Sequence, residues 1–309
     1  MILLSIVIPC YNEEEMLPIT SKRLKEKLDK LVKNETISPN SRVMFVDDGS
    51  RDGTWRLIEQ LHEQDERFTG VKLSRNRGHQ NALLAGLMVA KEYADCVISM
   101  DADLQDDINA VDGMLLKFQE GCEVVYGVRS CRETDTVFKR STAQSFYKLI
   151  NAMGGELVYN HADYRLLSRR ALEALSQYRE TNLFLRGIVP MLGFKSATVE
   201  YERGERAAGE SKYPLKKMLA LAWEGITSLT ARPITIITWL GVGISAVSLL
   251  VMIILAVFGV LTPTAAIILS MGVFSGLNLF GIGIIGQYTG KAYLETKRRP
   301  RYHIEKIIK

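Results

Sequence analysis

The chain has 309 residues and a formal net charge of +4, enough length for one large domain, or for one domain with an appendage. The small net charge gives no reason to invoke nucleic acid. The average composition, 24% charged and 47% hydrophobic, hides a strong asymmetry: from Pro233 to Gly290 there is no Asp, Glu, Lys or Arg, and the tail from Lys291 to Lys309 is basic again. Basic residues beside an uncharged stretch suggest a membrane surface. The four cysteines, Cys10, Cys96, Cys122 and Cys131, show no metal-ligand spacing. Met1–Pro9 is a short apolar run unlike a secretory leader. Both features suit reduced, isolated thiols in a cytosol-facing domain.

In chain order, residues 2–9 form an apolar, β-branched run ending at a proline and read as a buried strand. A charged, helix-compatible stretch follows over 13–33. A second strand over 42–46 runs into Asp47-Asp48-Gly49-Ser50, and a helix over 52–64 has Asp52 as its N-cap candidate. Strands are predicted at 70–73, 96–100, 123–126 and 197–201, and helices at 79–93, 110–119, 139–153 and 169–175. This alternation predicts βαβ units and a mostly parallel sheet. Ligands of such sheets bind beyond the carboxyl ends of the strands. Both acidic clusters, Asp47-Asp48 and Asp101-Ala102-Asp103, fall at such ends.

Leu215, Met218, Leu219, Ala222, Trp223 and Ile226 share one helical face, with Lys212, Lys216 and Lys217 near its start. This pattern fits a core helix or one lying in a membrane interface, and the neighbouring segments favour the interface. Those segments, about 234–260 and 265–288, each exceed the roughly 20 apolar residues that span a bilayer. Positive charge flanks both outer ends, at Arg232 and at Lys291, Lys297, Arg298, Arg299 and Arg301, with none in the short loop. Both ends are therefore expected in the cytoplasm. Gly281-Ile-Gly283-Ile-Ile-Gly286 has the dinucleotide-binding spelling but lies inside an apolar segment with no preceding strand, and Gly272-Val-Phe-Ser-Gly276 reads as GxxxG. Both patterns are better read as close helix packing.

Asp101-Ala-Asp103-Leu-Gln105 closes an apolar strand. Two carboxylates one residue apart can converge on a hard divalent cation, Mg²⁺ or Mn²⁺, that also binds a diphosphate. A solvated acidic turn is the alternative for the motif alone. Asp48 could accept from a nucleobase N–H, or could simply cap a strand-to-helix turn.

Taken together, Ile6-Val-Ile-Pro9-Cys-Tyr11-Asn12-Glu13, Val46-Asp47-Asp48-Gly49-Ser50-Arg-Asp52-Gly53-Thr54, Asn76-Arg-Gly78, Asp101-Ala-Asp103-Leu-Gln105, Ala162-Asp163-Tyr164-Arg165-Leu166 and Arg206-Ala-Ala-Gly209-Glu-Ser211-Lys212-Tyr213 resemble the family-2 glycosyltransferases of GT-A fold. Within these the chain is similar to the polyprenyl-phosphate group, which includes bactoprenol glucosyltransferases and dolichyl-phosphate mannose synthases. The resemblance implies an α/β GT-A catalytic domain over 1–211, an amphipathic juxtamembrane helix over 212–231, two transmembrane helices within 232–290 and a basic cytosolic tail over 291–309. It implies a nucleotide-sugar site lined by Pro9, Tyr11, Asn12, Glu13, Asp48 and Asp101, with Arg129 and Arg140 meeting phosphates, and a metal held by Asp101, Asp103 and Gln105. A lipid phosphate would meet Arg206, Ser211 and Lys212. Asp163 corresponds to the group's catalytic aspartate, with Asp103 and Arg165 beside it in the chemistry. Since a lipid phosphate is already ionised near neutral pH, Asp163 acts either as a base or as an orienting residue. His62, His79, His161 and His303 form no evident cluster and receive no role.

The reaction implied is inverting transfer of a hexose to a polyprenyl phosphate such as undecaprenyl phosphate, in a multi-pass plasma-membrane protein whose two termini are cytosolic. UDP-glucose is the favoured donor, ahead of UDP-N-acetylglucosamine and GDP-mannose. The implied partners are membrane lipids, a separate flippase and a downstream glycosyltransferase, and the glycine-rich helices could support a homo-oligomer. A processive polysaccharide synthase is disfavoured by the two spans and the lack of a Gln-x-x-Arg-Trp motif. A non-catalytic scaffold is disfavoured by the intact acidic motif.

Overall fold

Leu4–Cys10 (β1) is apolar on both faces, as a strand covered by helices on each side must be, and all seven of its residues are buried. A computed structural model describes residues 1–129, 161–180, 183–202 and 263–309. In it β1 lies at the heart of an eight-stranded sheet. Arg42–Asp47 (β2) and Cys96–Ser99 (β4) pair with β1 in parallel on either side, and Phe68–Leu73 (β3) continues in parallel beyond β2. Val124–Arg129 (β5), His161–Ser168 (β6), Ser196–Tyr201 (β7) and Ile304–Ile308 (β8) complete the order β7-β5-β6-β4-β1-β2-β3-β8. Only β6 and β8 run against the rest: β6 is antiparallel to β4 and β5, and β8 is antiparallel to β3. The α/β fold with a mostly parallel sheet is therefore as expected.

Helices cover both faces. Leu17–Lys33 (α1), Thr54–Gln64 (α2) and Ala110–Gln119 (α4) pack on one side, where Leu24, Leu28, Ile58 and Val111 meet Ile6, Ile8 and Phe45. His79–Ala90 (α3), Arg169–Ser176 (α5) and Leu185–Met191 (α6) pack on the other, where Leu83, Leu87, Leu172 and Ile188 meet Val7, Val46 and Val97. Alternate residues of β1 feed the two cores, as the two-residue period of a strand requires. Each fully buried Leu, Ile or Val contributes about 1.5–3 kcal/mol, so these two layers fix where the strand ends, and hence the site, must lie. Gly86 brings α3 close to the sheet, because a Cβ there would lie 2.4 Å from Val7 Cγ1.

Several expectations fall outside the described residues: the helix over 139–153, the juxtamembrane helix over 212–231 and the first span at 234–260. The second expected span coincides with a 35-residue helix, Pro263–Lys297 (α7). Ile267, Met271, Phe274, Ile282 and Ile285 on it are exposed. Among the described residues no helix is long and apolar enough to cross a membrane. The end of the tail, expected as basic and cytosolic, forms β8 in the catalytic sheet.

Candidate active site

Three strand ends build the site. β2 leaves the sheet through Asp48 and Gly49. Asp48 is buried, and its two carboxylate oxygens accept from the Arg77 N–H at 2.7 Å and the Gly78 N–H at 2.9 Å. Gly49 has φ +68°, and a Cβ there would stand 2.6 Å from the backbone of Arg75 and Asn76. The loop 75–78 thus lies directly on the β2 turn. Burial pushes the Asp48 carboxyl up, and the two N–H bonds oppose the shift. The residue expected to read a nucleobase is therefore also the anchor of this loop. Asp47 Oδ1 accepts from the Ser50 N–H, while its Oδ2 is buried without a hydrogen-bond partner among the described residues.

The exit of β1 is stitched to the same turn. The Asn12 N–H donates to Ser50 Oγ at 3.0 Å, Asn12 Oδ1 accepts from the Arg51 N–H at 2.9 Å, and the Glu13 N–H donates to Thr54 Oγ1 at 3.0 Å. Asn12 takes φ +54°, which lets the chain reverse just after the strand. Tyr11 is exposed and Pro9 is buried in β1. Pro9, Tyr11, Asn12, Glu13 and Asp48 are thereby brought to one end of the sheet. Asp52 bonds the Thr54 N–H and hydroxyl, supporting the start of α2 from just before its Gly53 N-cap.

β4 runs into Asp101-Ala102-Asp103-Leu104-Gln105. Ala102 and Leu104 are buried, whereas Asp101, Asp103 and Gln105 are half-buried, so the alternation turns the polar side chains outward. The Ala102 carbonyl accepts from Thr20 Oγ1 of α1 at 2.8 Å, and the Gln105 N–H donates to Asp103 Oδ1 at 3.2 Å. Leu104 has φ +52°, a left-handed conformation costing about 1–3 kcal/mol that the surrounding packing must hold. Burial raises the Asp101 pKa, which His79 opposes and Asp106, Asp163 and Asp103 reinforce.

His79, at the N-terminus of α3, stands between two carboxylates: its Nε2 is 3.6 Å from Asp101 Oδ1 and 3.7 Å from Asp163 Oδ2. Asp163 lies on β6, held in place by its carbonyl accepting from Ser99 Oγ. Its Oδ1 accepts from Arg165 Nη2 and from Arg186 Nε at 3.2 Å, and its Oδ2 accepts from Arg186 Nη2 at 2.9 Å. Burial penalises the Asp163 charge, but Arg186 and Arg165 outweigh it and hold the carboxyl well below the usual carboxylate range. Arg165 is fully buried and also donates to the Leu185 carbonyl at 3.2 Å. A carboxylate so engaged is a weak base.

Arg129, expected to meet a phosphate, sits at the end of β5 in a polar cluster. Its Nε donates to the Tyr201 hydroxyl at 3.3 Å, its Nη2 lies 3.5 Å from Asp106 Oδ1, and the Tyr201 hydroxyl donates to the same oxygen. Asp106 is almost wholly buried, just past the acidic motif. Arg140, Arg206, Ser211 and Lys212 lie outside the described residues. No three His, Cys, Asp or Glu side chains among the described residues could hold a metal by themselves. Mg²⁺, however, is commonly bound through one or two carboxylates together with substrate phosphates. Half-buried Asp101 and Asp103 offer such hard oxygen donors, with Gln105 beside them.

A family model described as Glycosyl transferase family 2 matches residues 5–176. The chain belongs to that family. This glycosyltransferase is 53% identical to the uncharacterized glycosyltransferase YkoT of Bacillus subtilis (strain 168), over 98% of this chain and 91% of that protein. It is 38% identical to the bactoprenol glucosyl transferase of Shigella phage SfX, over 98% of each. Among solved structures, it is similar to glucosyl-3-phosphoglycerate synthase from Mycobacterium tuberculosis, at 19% identity, TM-score 0.45, and coverage of 74% of this chain and 79% of that one.

The cluster at these strand ends contains residues the sequence did not disclose. His79 follows the Asn76-Arg-Gly78 motif directly, and that adjacency was the available signal. Arg186 and Tyr201 lie far from Asp163 and Asp106 in sequence. Asp106 follows the acidic motif by a single residue after Gln105, yet its burial shows only in three dimensions.

Proposed function

We propose that this glycosyltransferase moves a hexose, with UDP-glucose the favoured donor, onto a polyprenyl phosphate such as undecaprenyl phosphate, with inversion at the anomeric carbon. The observation that carries the reading is the clamp on Asp163. An aspartate held by two guanidinium groups suits an acceptor that arrives already ionised, as a phosphate does, better than a hydroxyl that must lose a proton. The similarity to a bactoprenol glucosyl transferase, which continues over 98% of the chain and so past the catalytic domain, supports the same acceptor.

On this reading Tyr11, Asn12, Glu13 and Asp48 bind the nucleoside, and Asp101, Asp103 and Gln105 hold Mg²⁺ or Mn²⁺. The cation, when bound, supplies neutralising charge to the departing nucleoside diphosphate. Arg129, fixed by Tyr201 and Asp106, binds diphosphate oxygens from one side with its fork of donors. Asp163 holds Arg165 and Arg186, and with them the wall that the acceptor phosphate approaches. Positioning the two reactants in this way accounts for much of the rate. The uncharged stretch 233–290 supplies two membrane spans, with the catalytic domain and both termini in the cytosol, and the apolar side chains exposed on α7 suit lipid contact. The lipid product then needs a flippase and a second transferase.

The test is a donor screen. Purified full-length protein in detergent receives undecaprenyl phosphate, Mg²⁺ or Mn²⁺ and one nucleotide sugar at a time, and the lipid is read by mass spectrometry. A hexosylated lipid with UDP-glucose is expected. Metal-dependent nucleotide binding without any lipid product would remove the acceptor assignment.

A further inference from the structure

The last strand of the sheet comes from the far end of the chain. After α7 ends at Lys297, six residues lead to β8, whose Ile308, Ile307, Lys306 and Ile304 pair with Gly70, Val71, Lys72 and Leu73 of β3. The pairing closes an edge that β3 would otherwise leave open. It is reinforced by Lys72 Nζ to Glu305 Oε1 at 2.8 Å and Lys306 Nζ to Glu59 Oε1 at 2.8 Å. Just before the strand, Tyr302 packs on the α3 side of the core, and Arg301 donates to the Tyr178 carbonyl. Ile304 and Ile307 are themselves exposed, so backbone pairing and ion pairs, more than burial, hold β8.

The strand reaches the site in a few covalent steps. The Ser74 N–H donates to the His303 carbonyl at 3.0 Å. Ser74 opens the loop 75–78, whose Arg77 and Gly78 N–H groups Asp48 holds and whose backbone rests on Gly49. The next residue is His79, beside Asp101 and Asp163. One end of this loop is thus tied to the nucleotide side of the site and the other to the C-terminal tail.

We propose that the C-terminal strand is a positioning element of the donor site: through His303 and β8 it holds Ser74, and so sets the loop 75–78 against Asp48 and Gly49. The proposal rests on the nucleotide-sugar reading above. The tail also confines the catalytic domain. Six linking residues make seven backbone steps, which span at most about 25 Å, so β8 at the β3 edge of the sheet starts within that distance of the end of α7. The tail joins the membrane-side helix to the donor loop and does not trail free as a basic anchor.

The test measures UDP binding by calorimetry, with Mn²⁺ present, on the detergent-solubilised full chain and its variants. A chain ending at Arg299 should bind UDP about tenfold more weakly, the equivalent of losing one or two backbone hydrogen bonds, while staying in the membrane fraction. Should that chain fail to fold, the ion pair is used instead: Glu305→Lys and Lys72→Glu singly weaken UDP binding, and the two combined restore it. Unchanged UDP binding in the folded short chain, or in both single charge variants, overturns the proposal. If the wild type binds no nucleotide at all, the nucleotide-sugar reading itself has failed, and the positioning role falls with it.

Discussion

Arg186 grips Asp163 at two points, Nε to Oδ1 at 3.2 Å and Nη2 to Oδ2 at 2.9 Å, while Arg165 closes on Oδ1 from the buried side. The carboxyl titrates far below its unfolded value, which is about 3.9 for an aspartate. A group with a depressed folded pKa contributes stability above its unfolded pKa and loses it as pH falls through the folded value. Arg186→Gln should therefore lower the melting temperature near neutral pH, and the gap to wild type should close as the medium is taken below about pH 4. Thermal unfolding of both proteins across pH checks this. A gap independent of pH would show that the ion pair does not carry the effect. The same depressed pKa means that the wild-type rate profile should have no limb belonging to Asp163 between about pH 5 and 8, the range in which a catalytic base would show itself.

Asp101→Asn and Asp103→Asn remove one carboxylate each from the half-buried row at the end of β4. Ala102 and Leu104 keep the loop packed, so both variants should melt within a few degrees of wild type. Their transfer rates should fall about a hundredfold or more, the scale on which charge stabilisation acts in a transition state. Lipid-product formation at saturating donor, beside a melting curve, is the measurement. Full activity in Asp101→Asn would remove the proposed metal role.

Much of this arrangement was legible in the sequence. The strands expected at 2–9, 42–46, 70–73, 96–100, 123–126 and 197–201 match β1, β2, β3, β4, β5 and β7 to within about two residues at most boundaries, because each is an apolar run ended by a turn signal. Both acidic motifs fall at strand ends for the same reason. β6 was hidden because its pattern is disguised: Asp163 and Arg165 are charged yet buried, and they satisfy one another instead of facing water. β8 was hidden because a five-residue strand after a basic run has no local signal, and its partner β3 lies more than two hundred residues away. α1 is assigned from Leu17, and the turn before it already has helical bonding, since the Leu17 N–H donates to the Glu13 carbonyl at 3.0 Å; the stretch from 13 is therefore its first turn.

Gly78 ends the loop that Asp48 anchors, Gly49 lies beneath it, and both have positive φ. A Cβ at Gly78 would meet nothing within 4 Å, whereas one at Gly49 would lie 2.6 Å from main-chain atoms of Arg75 and Asn76. Gly78, at φ +85° and ψ +153°, lies in a region essentially confined to glycine, and Gly78→Ala should cost about 1–3 kcal/mol in backbone strain alone. Gly49→Ala adds displacement of the 75–78 backbone and should cost about 1–3 kcal/mol more. UDP affinity should fall further in Gly49→Ala than in Gly78→Ala. Denaturant melts and nucleotide titration of the pair decide the point; equal losses would mean that the loop does not rest on the turn as described.

Met271 is well exposed on α7, about a quarter of the way into the segment 265–288, which has no charged residue. On a helix facing water, Met271→Lys would be close to neutral. On a helix crossing a bilayer, a lysine at the centre costs about 2.5–3.5 kcal/mol and one at Met271 part of that, while lysine at Arg299, beyond the helix end, changes nothing. The membrane-spanning reading therefore expects Met271→Lys to weaken membrane retention and lower the yield of folded protein, with Arg299→Lys as the silent control. Carbonate extraction of membranes from cells expressing each variant measures retention. If Met271→Lys partitions and accumulates like the control, this face of α7 does not meet lipid, and the acceptor must reach the site from a surface other than this helix.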